Sequence, residues 1–346
     1  MATLKYTYTT LNVPDTATAT GINDSGDVVG SYFDVNTFTG YGFLYSGSTY
    51  TILDGPTGAT SFSASGINDS GEVIGFYSNS SNQTISCFYE GGNYTPITGP
   101  AGSINTYAMG ISDNGNYVGY YEATDTSDHA FVYSGGNYNT LSGPTGATTT
   151  YAYGVNDSGD VAGSYETNNT WYGFVDHAGS YITLNPKGSI DTQVNGINND
   201  GDIIGSYEKK SGKSGKWYGF IATIVNGAPV YELISSPKGA TENNPDCISN
   251  VNSVAGTSDS KKGPTHNEEG DEKEKGKKKD AFEVLPPVLT ANEPRWSILD
   301  ANSANVPLLS GYMAGFNTLT ADHNGVGPTA NPLTASQPTL LTHPAS

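Results

Sequence analysis

Hydrophobic and polar residues along this chain fall in short blocks without a helical period, and one block returns at regular intervals. In Val73-Ile74-Gly75-Phe76-Tyr77 no polar residue interrupts the run. A strand with one wet face would alternate, so both faces of this segment are predicted to be covered. Just before it, Ser63-Ala64-Ser65-Gly66-Ile67 predicts a strand of small residues that stops at Asn68-Asp69-Ser70-Gly71. Asn and Gly accept the positive φ that tight hairpins need, so a turn is expected there. A third strand carries Phe after a small residue, at Gly42-Phe43, Cys87-Phe88, Ala130-Phe131, Gly173-Phe174, Gly219-Phe220 and Ala281-Phe282. A fourth, such as Tyr50-Thr51-Ile52-Leu53, follows a Ser-Gly or Gly-Asn hairpin and runs into a Pro-Gly corner.

The block Gly21-Ile22-Asn23-Asp24-Ser25-Gly26-Asp27-Val28-Val29-Gly30 begins again at Gly66, Gly110, Gly154 and Gly196, and in degenerate form at Cys247. A unit of about 44 residues with four strands, apolar on both sides of an inner strand, describes a propeller blade held between two neighbours. An open solenoid is the alternative. The chain opens with a fourth-strand sequence, Tyr6 to Leu11, whereas the sixth unit supplies only strands one to three, ending at Leu285. Pairing the two ends removes a sheet edge. The expected fold is therefore all-β: a six-bladed β-propeller of four-stranded blades over residues 1–285, closed by an N-terminal strand. Arg295 to Asp300 offers a rival fourth strand for the last blade. The charged stretch 259–280 reads as a solvated hairpin extension or docking loop, and 286–346 as an irregular C-terminal extension with a tail rich in Pro, Thr and Ala.

Composition agrees with this class. The 44 Gly, 18 Pro and 24 Tyr, with 14% charged residues, suit many strands and tight turns. Formal net charge is −19 and Arg295 is the sole arginine, so the surface repels phosphate backbones and anionic lipid, and nucleic-acid and membrane-surface partners are excluded. No apolar run is long enough to span a bilayer, and the first residues carry no apolar signal core. Cys87 and Cys247 occupy different places in the repeat without Cys or His neighbours, and read as small buried apolar residues.

The copies, with Gly-Phe-Leu-Tyr-Ser-Gly elements and His129-Ala130-Phe131, resemble the proteobacterial extracellular repeats of the HAF family across roughly residues 4 to 285. The resemblance implies an extracellular or cell-surface setting and brings no catalytic residues with it.

Turn carboxylates are the first candidates for chemistry: Asp24 with Asp27, Asp69 with Glu72, Asp157 with Asp160, and Asp200 with Asp202. Calcium takes six to eight oxygens and one turn supplies fewer, so weak calcium binding is the most these sites offer, and no other cofactor is expected. His129 and His177 each adjoin an aspartate, Asp128 and Asp176, the pairing a general base would use, but no nucleophile motif accompanies either. Phe38, Tyr41, Trp171 and Trp217 lie near loops rich in hydroxyl and amide groups, where a ring face suits a sugar face. The leading functional expectation is a non-catalytic extracellular binding or assembly propeller, an adhesin, matrix or fibre subunit, with a glycan or protein partner or self-assembly. The alternative is a secreted hydrolase or lyase acting on polysaccharide at one mouth of the central channel.

Overall fold

The computed structural model describes residues 3–285 apart from 5–6, 12, 15–16, 125–126, 212–213, 235–239, 251–252 and 261–277. Within that range there is no helix, and the strands form six sheets. Blade one is the antiparallel meander Thr18–Ile22, Val28–Asp34, Thr39–Ser46 and Thr49–Leu53. Blades two, three and four repeat it from Ala59–Ile67, Ser103–Ile111 and Thr149–Val155. A fifth sheet begins at Thr192–Ile197 and a sixth at Ala240–Ile248. The first strand of each sheet touches the first strands on either side, sixth to first included, so these strands surround an axis. The fold is an all-β propeller of four-stranded blades.

The amino-terminal residues serve two sheets. Thr7–Thr10 pairs antiparallel with Lys278–Leu285 as outer strand of the sixth sheet, in the register Thr7↔Leu285 to Thr10↔Phe282. Before it, Thr3–Leu4 adds a fifth strand to the fifth sheet, parallel to Ala228–Ile234, which the sequence pattern did not foretell. The stretch expected to leave the sheet at 259–280 is narrower than it reads. Val254–Ser260 and Lys278–Leu285 are paired out to Ser260↔Lys278. Residues 261–277, and 286–346 with the Arg295 to Asp300 segment, lie outside the described residues.

The core lies between blades. Val29 and Leu53 of blade one pack with Phe62, Ala64, Val73 and Cys87 of blade two, and five further clusters span the remaining interfaces in the same way. This is why the second strand opens on an unbroken buried run such as Val73, Ile74 and Gly75. Opposite it each first strand bulges, with a register shift such as Ala152/Gly154. The bulge pushes the Tyr151 carbonyl oxygen to 2.1 Å from where a Cβ on Gly163 would stand, while the Phe174 ring closes the other side at 3.0 Å.

That ring marks one correction. Second-strand glycines pair with Phe in most blades, as in Gly30↔Phe43, Gly119↔Phe131, Gly163↔Phe174 and Gly205↔Phe220, but Gly75 pairs with Cys87, not with Phe88. The ring volume over Gly75 comes instead from Phe62 on the first strand, whose Cζ lies 3.0 Å from a Cβ built there. At the place of Phe62, blades one, three and four and the fifth sheet carry the small buried residues Ala17, Thr106, Thr150 and Thr192. Large and small have exchanged positions between the first and third strands of blade two, with volume conserved. Cys87 and Cys247 are both free and buried, as the sequence suggests. Burial pushes the Cys87 thiol up to about 12, which leaves it protonated and unreactive.

Candidate functional site

Each hairpin turn between first and second strands is built on one buried side chain. In blade four the Asn156 Oδ1 accepts the Asp160 N–H at 2.9 Å, and its Nδ2 donates to the Asn198 carbonyl of the next blade at 3.2 Å. Asn23, Asn68 and Asn198 do the same in their own turns. The residue after this Asn then reaches around the axis. Asp24 N–H donates to Asp69 Oδ1 at 2.8 Å, Asp69 N–H to Asp113 Oδ1 at 2.7 Å, Asp157 N–H to Asn199 Oδ1 at 2.8 Å and Asn199 N–H to Asn250 Oδ1 at 2.7 Å. Asn199 Nδ2 also donates to Asp113 and Asp157, and Asn250 Nδ2 to Asp69.

The candidate calcium ligands are thereby sorted into two sets. Asp24, Asp69 and Asp157 join the axial ring with Asp113, which the sequence reading passed over because its turn reads Ser112-Asp113-Asn114-Gly115. Asp27, Glu72 and Asp160 face the amide of their own turn's Asn, Asp202 accepts from the Thr223 hydroxyl at 2.5 Å, and Asp200 stands at an exposed turn tip. The two carboxylates of one turn thus serve different partners. Among the described residues no group of three or more His, Cys, Asp or Glu side chains is arranged to hold a metal ion. In the ring, burial first and then the Asp113 and Asp24 charges push the Asp69 carboxyl above its ordinary value, against the Asp24 N–H that holds it down.

The axis itself is narrow. A Cβ on Gly154 would lie 2.9 Å from the Gly196 Cα, and one on Gly21 2.9 Å from the Gly66 Cα, so the first strands meet backbone to backbone. Two cavities lie along it among the described residues. One, of about 50 Å3, lies beneath the Asp/Asn ring, and the other, of about 60 Å3, is bordered by Thr20, Ser65, Met109, Tyr153 and Asn195, one from each of five blades. A water needs roughly 10–15 Å3 of such space, so these chambers take a few waters, whereas small-molecule sites run to roughly 300 Å3 and above.

Neither sequence-adjacent Asp–His pair forms, since neighbours on a strand point to opposite faces. His177 Nδ1 meets Asp160 Oδ1 at 2.5 Å, while burial pushes the Asp176 carboxyl up. His129 Nε2 bonds Ser127 Oγ at 2.8 Å, and Asp128 accepts from the Tyr151 hydroxyl at 2.8 Å.

The candidate aromatics also separate. Trp171 stacks on Tyr151 at 5.8 Å and 12°, at the end of a chain of rings that links Phe76, Tyr107, Tyr120 and Tyr151 across blades two to four. One of its faces is therefore already covered. Trp217 is half-buried on the third strand of the fifth sheet, opposite Glu208. Phe38 is 80% exposed at a hairpin tip and meets Phe33 edge-on at 6.3 Å, and Tyr41 stacks on Tyr32 at 5.5 Å. Phe33 and Tyr32 in turn line a cavity of about 300 Å3 between blades one and two. Sequence reasoning found two rings beside this groove but missed the groove.

No family model and no curated protein matches the chain. Among solved structures it is similar to the Aleuria aurantia lectin, described as a six-bladed β-propeller with a novel fucose recognition mode, at 12% identity over 73% of this chain and 90% of that one, with a TM-score of 0.42. A gluconolactonase from Xanthomonas campestris matches at 8% identity over 82% of this chain and 90% of its own, TM-score 0.46. YCF48 from Cyanidioschyzon merolae matches at 10% identity over 73% and 83%, TM-score 0.39.

Proposed function

We propose that the chain is a non-catalytic extracellular propeller of the HAF-repeat type, six-bladed and closed by its N-terminal strand, that works by binding or assembly. Six sheets and the pairing of Thr7–Thr10 with Lys278–Leu285 support the closed ring. The observation that carries the functional reading is the axis. A propeller enzyme would gather unlike polar groups around a substrate at a channel mouth. Here glycine backbones meet on the axis and leave chambers of about 50 and 60 Å3, which pushes recognition of anything larger than water outward to the loops and blade interfaces.

One observation favours the alternative of a secreted polysaccharide hydrolase or lyase. The chamber opposite the Asp/Asn ring is bordered by residues that differ from blade to blade, and among them the Ser65 hydroxyl is buried without a hydrogen-bond partner. Incubating the purified chain with a broad set of glycosides, esters and polysaccharides decides between the two: no turnover is expected, and turnover lost in Ser65→Ala overturns the binding reading. Electron microscopy of the same sample tests assembly, with filaments or defined oligomers expected of a fibre or matrix subunit and monomers of a simple adhesin.

A further inference from the structure

The groove between blades one and two lies where two facing residues are small. Ser31 and Ser63 stand at the repeat positions that carry Phe76 and Tyr107 at the next interface, and Tyr120 and Tyr151 at the one after. Those pairs fill their interfaces with edge-on rings at 5.2 Å and 73°, and at 4.8 Å and 67°. With serines in both places the space between blades one and two stays open, at about 300 Å3.

Its lining has a definite chemistry. Thr18, Ser31, Ser61 and Ser63 supply hydroxyls, while Tyr32, Phe33 and Phe76 supply apolar and aromatic wall. No lining residue is charged. Phe33 is 46% exposed and, with the tip residue Phe38, extends the wall toward solvent. An anionic ligand would find no cation to pair with, and a cationic one no carboxylate. A purely apolar ligand would leave four hydroxyls without the hydrogen bonds they make to water. A neutral pyranose meets both demands, since its C–H face packs on a ring and its hydroxyls exchange donors and acceptors with serine and threonine. The volume sits at the lower end of small-molecule sites, enough for a short saccharide and not for a protein segment.

We infer that this inter-blade groove is a binding site for a neutral saccharide, with Tyr32, Phe33 and Phe76 as its aromatic wall and Phe38 extending that wall toward solvent. The assignment rests on the non-catalytic binding reading and names the ligand class for it. The test uses the full chain against an immobilised panel of neutral mono- and oligosaccharides, with acidic glycans alongside. Wild type retains neutral sugars. Ser31→Phe with Ser63→Tyr, which copies the ring pair that the next interface already tolerates, reduces that binding at least tenfold. Gly40→Val fills the same groove from the other side, where a Cβ meets only Ser61 Cβ at an ordinary 3.7 Å, and it lowers binding independently if the ring-pair variant folds poorly. Val230→Ser, which removes exposed apolar surface on another blade, leaves binding unchanged. Neutral-sugar binding that survives both filled variants, or a wild type that takes only acidic glycans or none, overturns the assignment and leaves the binding reading standing. Turnover of a retained sugar would instead overturn the binding reading itself.

Discussion

At the scale of single residues, the blades are variations on one packing problem, and the exchange of Phe62 with Cys87 shows its tolerance most clearly. Cys87→Phe restores the repeat's usual residue yet adds a ring where Phe62 already fills the space over Gly75. Overpacking of this kind costs about 1–3 kcal/mol. Phe62→Thr alone leaves a cavity, with a loss of about 3 kcal/mol. The two changes together recreate the arrangement of blades three and four, so a denaturant-melt cycle should show the double variant far closer to wild type than the sum of the singles. Strict additivity would mean that the two side chains do not share one space. Charge at the axial ring gives a second residue-scale prediction. The Asp69 carboxyl is raised in the fold, so the folded protein holds that proton more tightly than the unfolded chain does. Its contribution to stability is full below the unfolded pKa and is lost as pH rises through the folded one. Asp69→Asn cannot titrate, so the melting temperature of wild type relative to this variant should fall as pH climbs from acid to neutral; a flat or rising difference would contradict the assignment.

At the scale of elements, the bulge in each first strand and the glycine opposite it form one device. Gly163→Ala would place a Cβ 2.1 Å from the Tyr151 carbonyl oxygen, and backbone on one side with the Phe174 ring on the other leaves no route of escape. We expect a loss of about 3 kcal/mol or more in chemical denaturation, the top of the overpacking range. Gly40→Ala, with only Ser61 Cβ at 3.7 Å, should stay within about 0.5 kcal/mol of wild type, and equal costs at the two sites would refute the bulge argument. Such elements were readable in the chain because they are local: the Asn-Asp-Ser-Gly turn, the unbroken apolar second strand and the fourth-strand hairpin each announce themselves within ten residues. What escaped reading depends on pairs far apart in sequence. The rule of a small residue before Phe matched Cys87-Phe88 one place out of register, since the side chain that replaces the ring, Phe62, lies on a different strand. The groove is hidden for the same reason, as Ser31 and Ser63 are unremarkable serines until two blades bring them face to face. Phe38 and Tyr41 were found because an aromatic at a polar hairpin stands out locally.

At the scale of the whole molecule, stability is distributed around a ring, and the joint between its ends becomes the critical contact. Each interface is one apolar cluster shared by two blades, so opening any one exposes both partners. The interface between the sixth sheet and blade one is distinctive because its covalent link runs through Thr7–Thr10, a strand that the rest of the sixth sheet holds only by a backbone ladder. Leu11, Ala17 and Ala19 pack there with Cys247 and Ala255, and the strand just before Leu11 is the one paired to Lys278–Leu285. Removing residues 1–11 would take away both the ladder Thr7↔Leu285 to Thr10↔Phe282 and the buried Leu11, and would leave Lys278–Leu285 as a bare edge open to pairing with other chains. The truncated protein should melt at lower temperature and elute as aggregates or higher oligomers in size-exclusion chromatography. A synthetic peptide of residues 1–11 added in trans should compete for that edge and restore part of the lost stability, in proportion to its concentration. If the truncated chain melts where the full chain does and elutes as the full chain does, the ends do not hold the ring, and its stability must come from the blade interfaces alone.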